Sequence, residues 1–197
     1  IARDEKRAEE YFQIVRQNGC NKQYKFLRKL NDQAPQPSPE SNPANEEACQ
    51  QLLQSLVRKA QNENLVQIDI PKGIQRLNDK AFYYCKSLKT VTIPSSVTSI
   101  GNECFYLCES LTQVAIPSSV GSIGDKCFSL CSSLIEITIP PSIMVIGDEC
   151  FYRCESLTQI TIPSSVTSIE NECFANCISL TQITIPSSVT SIGYMCF

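Results

Sequence analysis

The sequence predicts an α/β repeat: a solenoid of parallel β-strands and short helical turns, preceded by an α-helical N-terminal segment. Three observations carry this reading. The dipeptide Ile-Pro recurs at Ile70, Ile93, Ile116, Ile139, Ile162 and Ile185, always 23 residues apart. Apolar and polar residues alternate ahead of each dipeptide, as in Leu157-Thr158-Gln159-Ile160-Thr161-Ile162. Before residue 62 the apolar residues fall instead at helical spacing.

Taken in order, residues 1–31 read as a helical N-terminal segment in two pieces. Ala8, Tyr11, Phe12 and Val15 share one face, Gly19 suits the end, and Phe26, Leu27 and Leu30 share the next. This stretch holds eight basic and four acidic side chains, although the whole chain of 197 residues has a net charge of -3. Its basic part, residues 22–30, could touch acidic lipid or nucleic acid; the ordinary reading is an amphipathic helix with a solvated basic side. Residues 32–45, with four prolines, predict an extended linker. A capping helix follows at 46–64, with Asn42 and Pro43 as cap and first helical residue and Ala48, Leu52, Leu53, Leu56, Val57 and Ala60 on one face. That face is expected to cover the first repeat, because an uncapped solenoid turn exposes its core.

Residues 65–197 form about six turns of repeat, the last truncated. A period in the twenties built on L-x-x-I-x-I marks a leucine-rich repeat, in which each turn stacks on the next. Leu157, Ile160 and Ile162 point inward, Gln159 and Thr161 outward, and Pro163 ends the strand because it has no N–H for the ladder. Val166 and Ile169 form a second inward pair. The chain then turns at Ile-Gly-Asn/Asp (Gly101, Gly124, Gly147), where a positive φ is expected; Asn78 tolerates it and Glu170 is expected to strain it.

The unit I-G-x-x-C-F-x-x-C-x-S-L-x-x-I-x-I-P-S-S-V-x-S resembles the repeat of the BspA-like leucine-rich repeat proteins over residues 65–197. The resemblance implies a curved, non-catalytic solenoid used for binding, often at cell surfaces and in adhesion, and it brings no catalytic residues. The composition agrees. The chain has no His, which removes the commonest general base and metal ligand, and it has no Gly-rich phosphate loop. No apolar run is long enough to span a membrane. No Asn-x-Ser/Thr acceptor occurs. The first residue is Ile and the last lies inside a repeat, so a fragment of a longer chain is expected.

The chain has twelve cysteines. Stacking brings Cys104, Cys127, Cys150, Cys173 and Cys196 into one column and Cys85, Cys108, Cys131, Cys154 and Cys177 into another. Thiolate metal sites, a disulfide ladder and buried thiols are the three readings. Ala81 stands in the first column where later repeats have Cys, and alanine fills space but binds nothing, so buried thiols without metal or cofactor are expected.

The candidate protein-binding face is the outward side of the strands: Lys89, Thr90, Gln113, Ile135, Glu136, Thr138, Gln159 and Gln182. Ile135 and Glu136 break the Thr-Gln pattern and are its most distinctive spot. The competing reading is that Thr and Gln serve strand propensity and solubility. This face lacks the Lys/Arg density that phosphate contacts need, so no nucleic-acid partner is expected. Tyr83, Tyr106, Tyr152 and Tyr194 are expected to be largely exposed, as an interface stripe or as a cover for the core. The expected function is a protein-binding module, with glycan as a further ligand class, in a cell-surface adhesion protein. The alternative is an intracellular scaffold or regulatory subunit. Self-association through the open edge of the last repeat is a further expectation.

Overall fold

The computed structural model describes residues 43–197, with side chains from 48 onward. The segment 1–31, its basic stretch 22–30 and the linker to residue 42 lie outside the described residues. The chain divides into two compact units, 1–55 and 56–197. Helix α1 (Pro43–Asn62) runs across that boundary. Cys49, Leu52 and Leu53 are buried in the first part, Leu56 and Ala60 in the second. Lys59 sits in the last turn, where its charge suits the helix carboxyl end, and Asn64 leaves the helix at φ 53°. No described helix is long and apolar enough to cross a membrane.

In the second unit each 23-residue turn has three sides. The first sides form a five-stranded parallel sheet of β1 (Gln67–Asp69), β3 (Thr90–Thr92), β5 (Gln113–Ala115), β7 (Glu136–Thr138) and β9 (Gln159–Thr161). Every strand is buried only at its central residue, as two-residue alternation requires. The second sides are short strands in two separate ladders. One joins β2 (Arg76–Leu77), β4 (Ser99–Ile100) and β6 (Ser122–Ile123); the other joins β8 (Val145–Ile146), β10 (Ser168–Ile169) and β11 (Ser191–Ile192). In the sixth turn, residues 182–184 form no strand against β9.

The third side carries C-F-x-x-C as consecutive hydrogen-bonded turns. Phe82 N–H donates to Cys104 C=O at 2.8 Å and Tyr84 N–H to Tyr106 C=O at 2.9 Å, each reaching the following turn. On the second side the sense is reversed, as where Thr98 N–H donates to Gln75 C=O at 2.7 Å. First-turn carbonyls on the third side therefore lack a preceding turn, and the Gln61 side chain at the end of α1 donates to Tyr83 C=O at 2.9 Å.

The expected glycine conformation is corrected here. Gly101, Gly124 and Gly147 are not left-handed, and neither is Glu170, so the strain expected there does not arise. Left-handed φ falls on non-glycine residues, at Lys80, Glu103, Lys126, Glu149 and Glu172 and again at Tyr84, Leu107, Leu130 and Arg153. Glycine serves close approach instead: a Cβ on Gly124 would stand 2.4 Å from Asn102 Oδ1 and 2.5 Å from Asn102 N.

The core is a set of columns. Phe82, Phe105, Phe128, Phe151 and Phe174 stack with nearly parallel rings, their centroids 5.1 to 5.7 Å apart. Leu88, Leu111, Leu134 and Leu157 form a second, wholly buried column. The serines of Pro-Ser-Ser bind turn to turn, Ser119 Oγ donating to Val97 C=O and Ser165 Oγ to Ile143 C=O, both at 2.7 Å.

Candidate binding face

Two-residue alternation and parallel register set the outward side chains of β1, β3, β5, β7 and β9 in straight columns. Thr90 lies beside Gln113, Gln113 beside Glu136 and Glu136 beside Gln159. Seven of the eight residues expected on this face lie along these strands or immediately before them. Gln182 does not, because its segment leaves the ladder; it lies across from Gln159 at the rim of a depression of about 520 Å³. A second depression, about 460 Å³, opens where Ala115 replaces the threonine of its column, and Thr90, Gln113, Glu136 and Thr138 line it. Gln113 Nε2 donates to Glu136 Oε1 across its rim.

The hydroxyls divide by role. Thr112 Oγ1 donates to Lys89 C=O and Thr158 Oγ1 to Ile135 C=O, both at 3.3 Å, so these threonines clasp neighbouring turns. Ile135 cannot do this and stands 50% exposed. Asp69, on β1 in the same column as Thr138, is an outward residue that the sequence reading passed over, although the period places it there.

The tyrosines are less exposed than expected. Tyr83, Tyr106 and Tyr152 are half-buried against the core; only Tyr194 of the four is largely exposed. Tyr83 and Tyr106 stack at 5.2 Å, and Lys86 lies over the Tyr84 ring at 4.6 Å while pairing with Glu109 at 2.7 Å.

The ten repeat cysteines are buried thiols. The second column is hydrogen-bonded: Cys108, Cys131, Cys154 and Cys177 donate Sγ–H to the carbonyls of Phe82, Phe105, Phe128 and Phe151 at 3.1–3.2 Å. Burial pushes the Cys85 and Cys150 thiols up to about 12. The thiolate is the reactive form, so these sulfurs are chemically quiet. Among the described residues, no three or more Cys, Asp or Glu groups are arranged to hold a metal ion.

Residues 60–173 and 144–197 match the BspA type leucine rich repeat region, in six copies. Among solved structures, a leucine rich cell surface protein from Faecalibacterium prausnitzii is 40% identical over 68% of this chain and 36% of its own, with a TM-score of 0.64. A leucine-rich repeat protein from Bacteroides ovatus is 28% identical over 66% of this chain and 39% of its own, at 0.52. One from Eubacterium ventriosum is 25% identical over 66% of this chain and 41% of its own, at 0.58. The chain thus spans well under half the length of these three proteins. No curated protein matches significantly.

Proposed function

This chain belongs to the BspA-type leucine-rich repeat family, and from that premise we propose that it is a non-catalytic, protein-binding module of a cell-surface adhesion protein. The observation that carries this is the front sheet. Its outward columns are exposed over five strands, and both depressions open on it. Ile135 and Glu136 supply the apolar and charged anchors that the Thr-Gln pattern lacks, and a few such residues dominate binding energy in most interfaces. The cell-surface setting rests on the likeness to the F. prausnitzii protein.

The test is a crosslinking capture with the full chain, run on intact cell surfaces and on lysate, followed by affinity measurement with the captured protein. The double substitution Ile135→Thr, Glu136→Gln is expected to weaken binding about tenfold or more, some 1.4 kcal/mol. Unchanged affinity would place the contact elsewhere. Capture from lysate alone would replace the adhesion reading with an intracellular scaffold.

A further inference from the structure

The second side of the solenoid is continuous everywhere except between turns three and four. At the other junctions the ladder is carried by two recurring backbone bonds. Thr98 N–H donates to Gln75 C=O, Gly121 to Thr98, Thr167 to Met144 and Thr190 to Thr167. One step on, Gly101 donates to Leu77, Gly124 to Ile100, Glu170 to Ile146 and Gly193 to Ile169. The counterparts that would join Met144 to Gly121 and Gly147 to Ile123 are missing, and β6 and β8 belong to different ladders.

Independent geometry shows the same opening. A Cβ on Gly101 or Gly124 would lie 2.5–2.8 Å from backbone atoms of the preceding turn, whereas on Gly147 the nearest backbone atom is 3.4 Å away. Ile123 is partly exposed, while its column neighbours Leu77, Ile100, Ile146 and Ile169 are buried. Met144 and Val145 set the open junction apart from the others. Thr98, Thr167 and Thr190 each clasp the previous turn through Oγ1, at 3.1–3.3 Å. Met144 holds that position at the open junction and has no hydroxyl; Gly121 has none either, yet its junction stays paired through its own N–H to Thr98 C=O at 2.9 Å, so the lost clasp acts together with the change at the next residue. Val145 replaces the serine of Ser99, Ser122, Ser168 and Ser191, and both Met144 and Val145 are exposed, at 61% and 45%.

We propose that the junction of turns three and four is a hinge that opens on its second side. The other two sides hold it together, with the corners that flank the gap, where Ser142 Oγ donates to Val120 C=O and Asp148 N–H to Asp125 Oδ1. The β5–β7 pairing is intact, and Lys126, Phe128 and Leu130 donate to Asp148, Cys150 and Tyr152 at 2.8–2.9 Å. Bending about these two sides changes the curvature of the front sheet between Gln113 and Glu136, across the Ala115 depression. The hinge stands on the ladder alone and does not require that depression to bind anything.

Residue-resolved hydrogen exchange on the full chain tests it. The amides of Met144 and Gly147 are expected to exchange roughly 100-fold faster than those of Thr98, Gly101, Thr167 and Glu170, which sit at equivalent places in paired junctions. Equal protection in the native protein would overturn the hinge. In the variant Met144→Thr, Val145→Ser the two amides are expected to slow toward the values of their equivalents. A folded variant in which they stay fast would overturn the assignment of the break to these side chains. Neither result bears on the front face, whose own test is a binding measurement.

Discussion

Ser129 holds the place that Tyr83, Tyr106 and Tyr152 hold in other turns, yet it is fully buried and its Oγ has no hydrogen-bond partner. A hydroxyl taken from water without compensation costs about 1–3 kcal/mol. Ser129→Ala is therefore expected to raise stability by about 1 kcal/mol, seen as a higher urea midpoint at unchanged slope. A comparable loss would show that the hydroxyl is bonded after all. The cysteines show what a single sequence can say at this scale. Ala81 in the first column identified a small apolar filler, and every repeat cysteine is indeed buried. The bond from Cys131 Sγ to Phe105 C=O was not legible, because it joins residues 26 apart and depends on how far one turn is offset from the next.

The corner after each second strand shows how repeats are locked. Asp79 Oδ1 accepts from Asn102 N–H, Asn102 Oδ1 from Asp125 N–H, Asp125 Oδ1 from Asp148 N–H and Asp148 Oδ1 from Asn171 N–H, at 2.9–3.1 Å. The sequence reading placed these residues at a turn within each repeat and expected a positive φ at the adjacent glycines. Both residue types were correctly singled out, but their roles are between turns: the side chain reaches one repeat onward, and the glycine lets that oxygen approach. One repeat cannot reveal this, since its partner is the next copy. The ladder accepts Asp or Asn because the link to the next turn uses the oxygen; Asn171 alone of the five also donates Nδ2–H back to Asp148 Oδ1, at 2.9 Å. Asn102→Ala is thus expected to cost about 1–2 kcal/mol by orphaning the Asp125 N–H, and Asn102→Asp to stay within about 0.5 kcal/mol of the parent. Chemical denaturation of the three proteins decides it; equal losses in both variants would mean that the amide nitrogen, not the oxygen, holds the corner.

At the scale of the molecule, the unbroken period made the solenoid and its inward columns readable, since stacking identical turns leaves few alternatives. It also hid the fault between turns three and four, because Met144 and Val145 keep the spacing and change only the chemistry. The same stacking concentrates ten thiols in one core, and this sets how the whole fold meets alkali. Burial raises these thiols above the ordinary thiol range, Cys85 and Cys150 to about 12, so the unfolded chain loses its protons first as pH rises. For Cys150 the stabilisation is then complete below about pH 9 and drains between there and about pH 12, at roughly 1.4 kcal/mol per pH unit. Under reducing conditions the unfolding free energy is expected to be flat from about pH 6 to 8 and to fall steeply above about 9. Cys150→Ala should soften that fall by one thiol's share. An unfolding free energy that held level to about pH 10.5 would mean that water reaches the sulfur columns and that the stack is looser than its buried rings and thiols require.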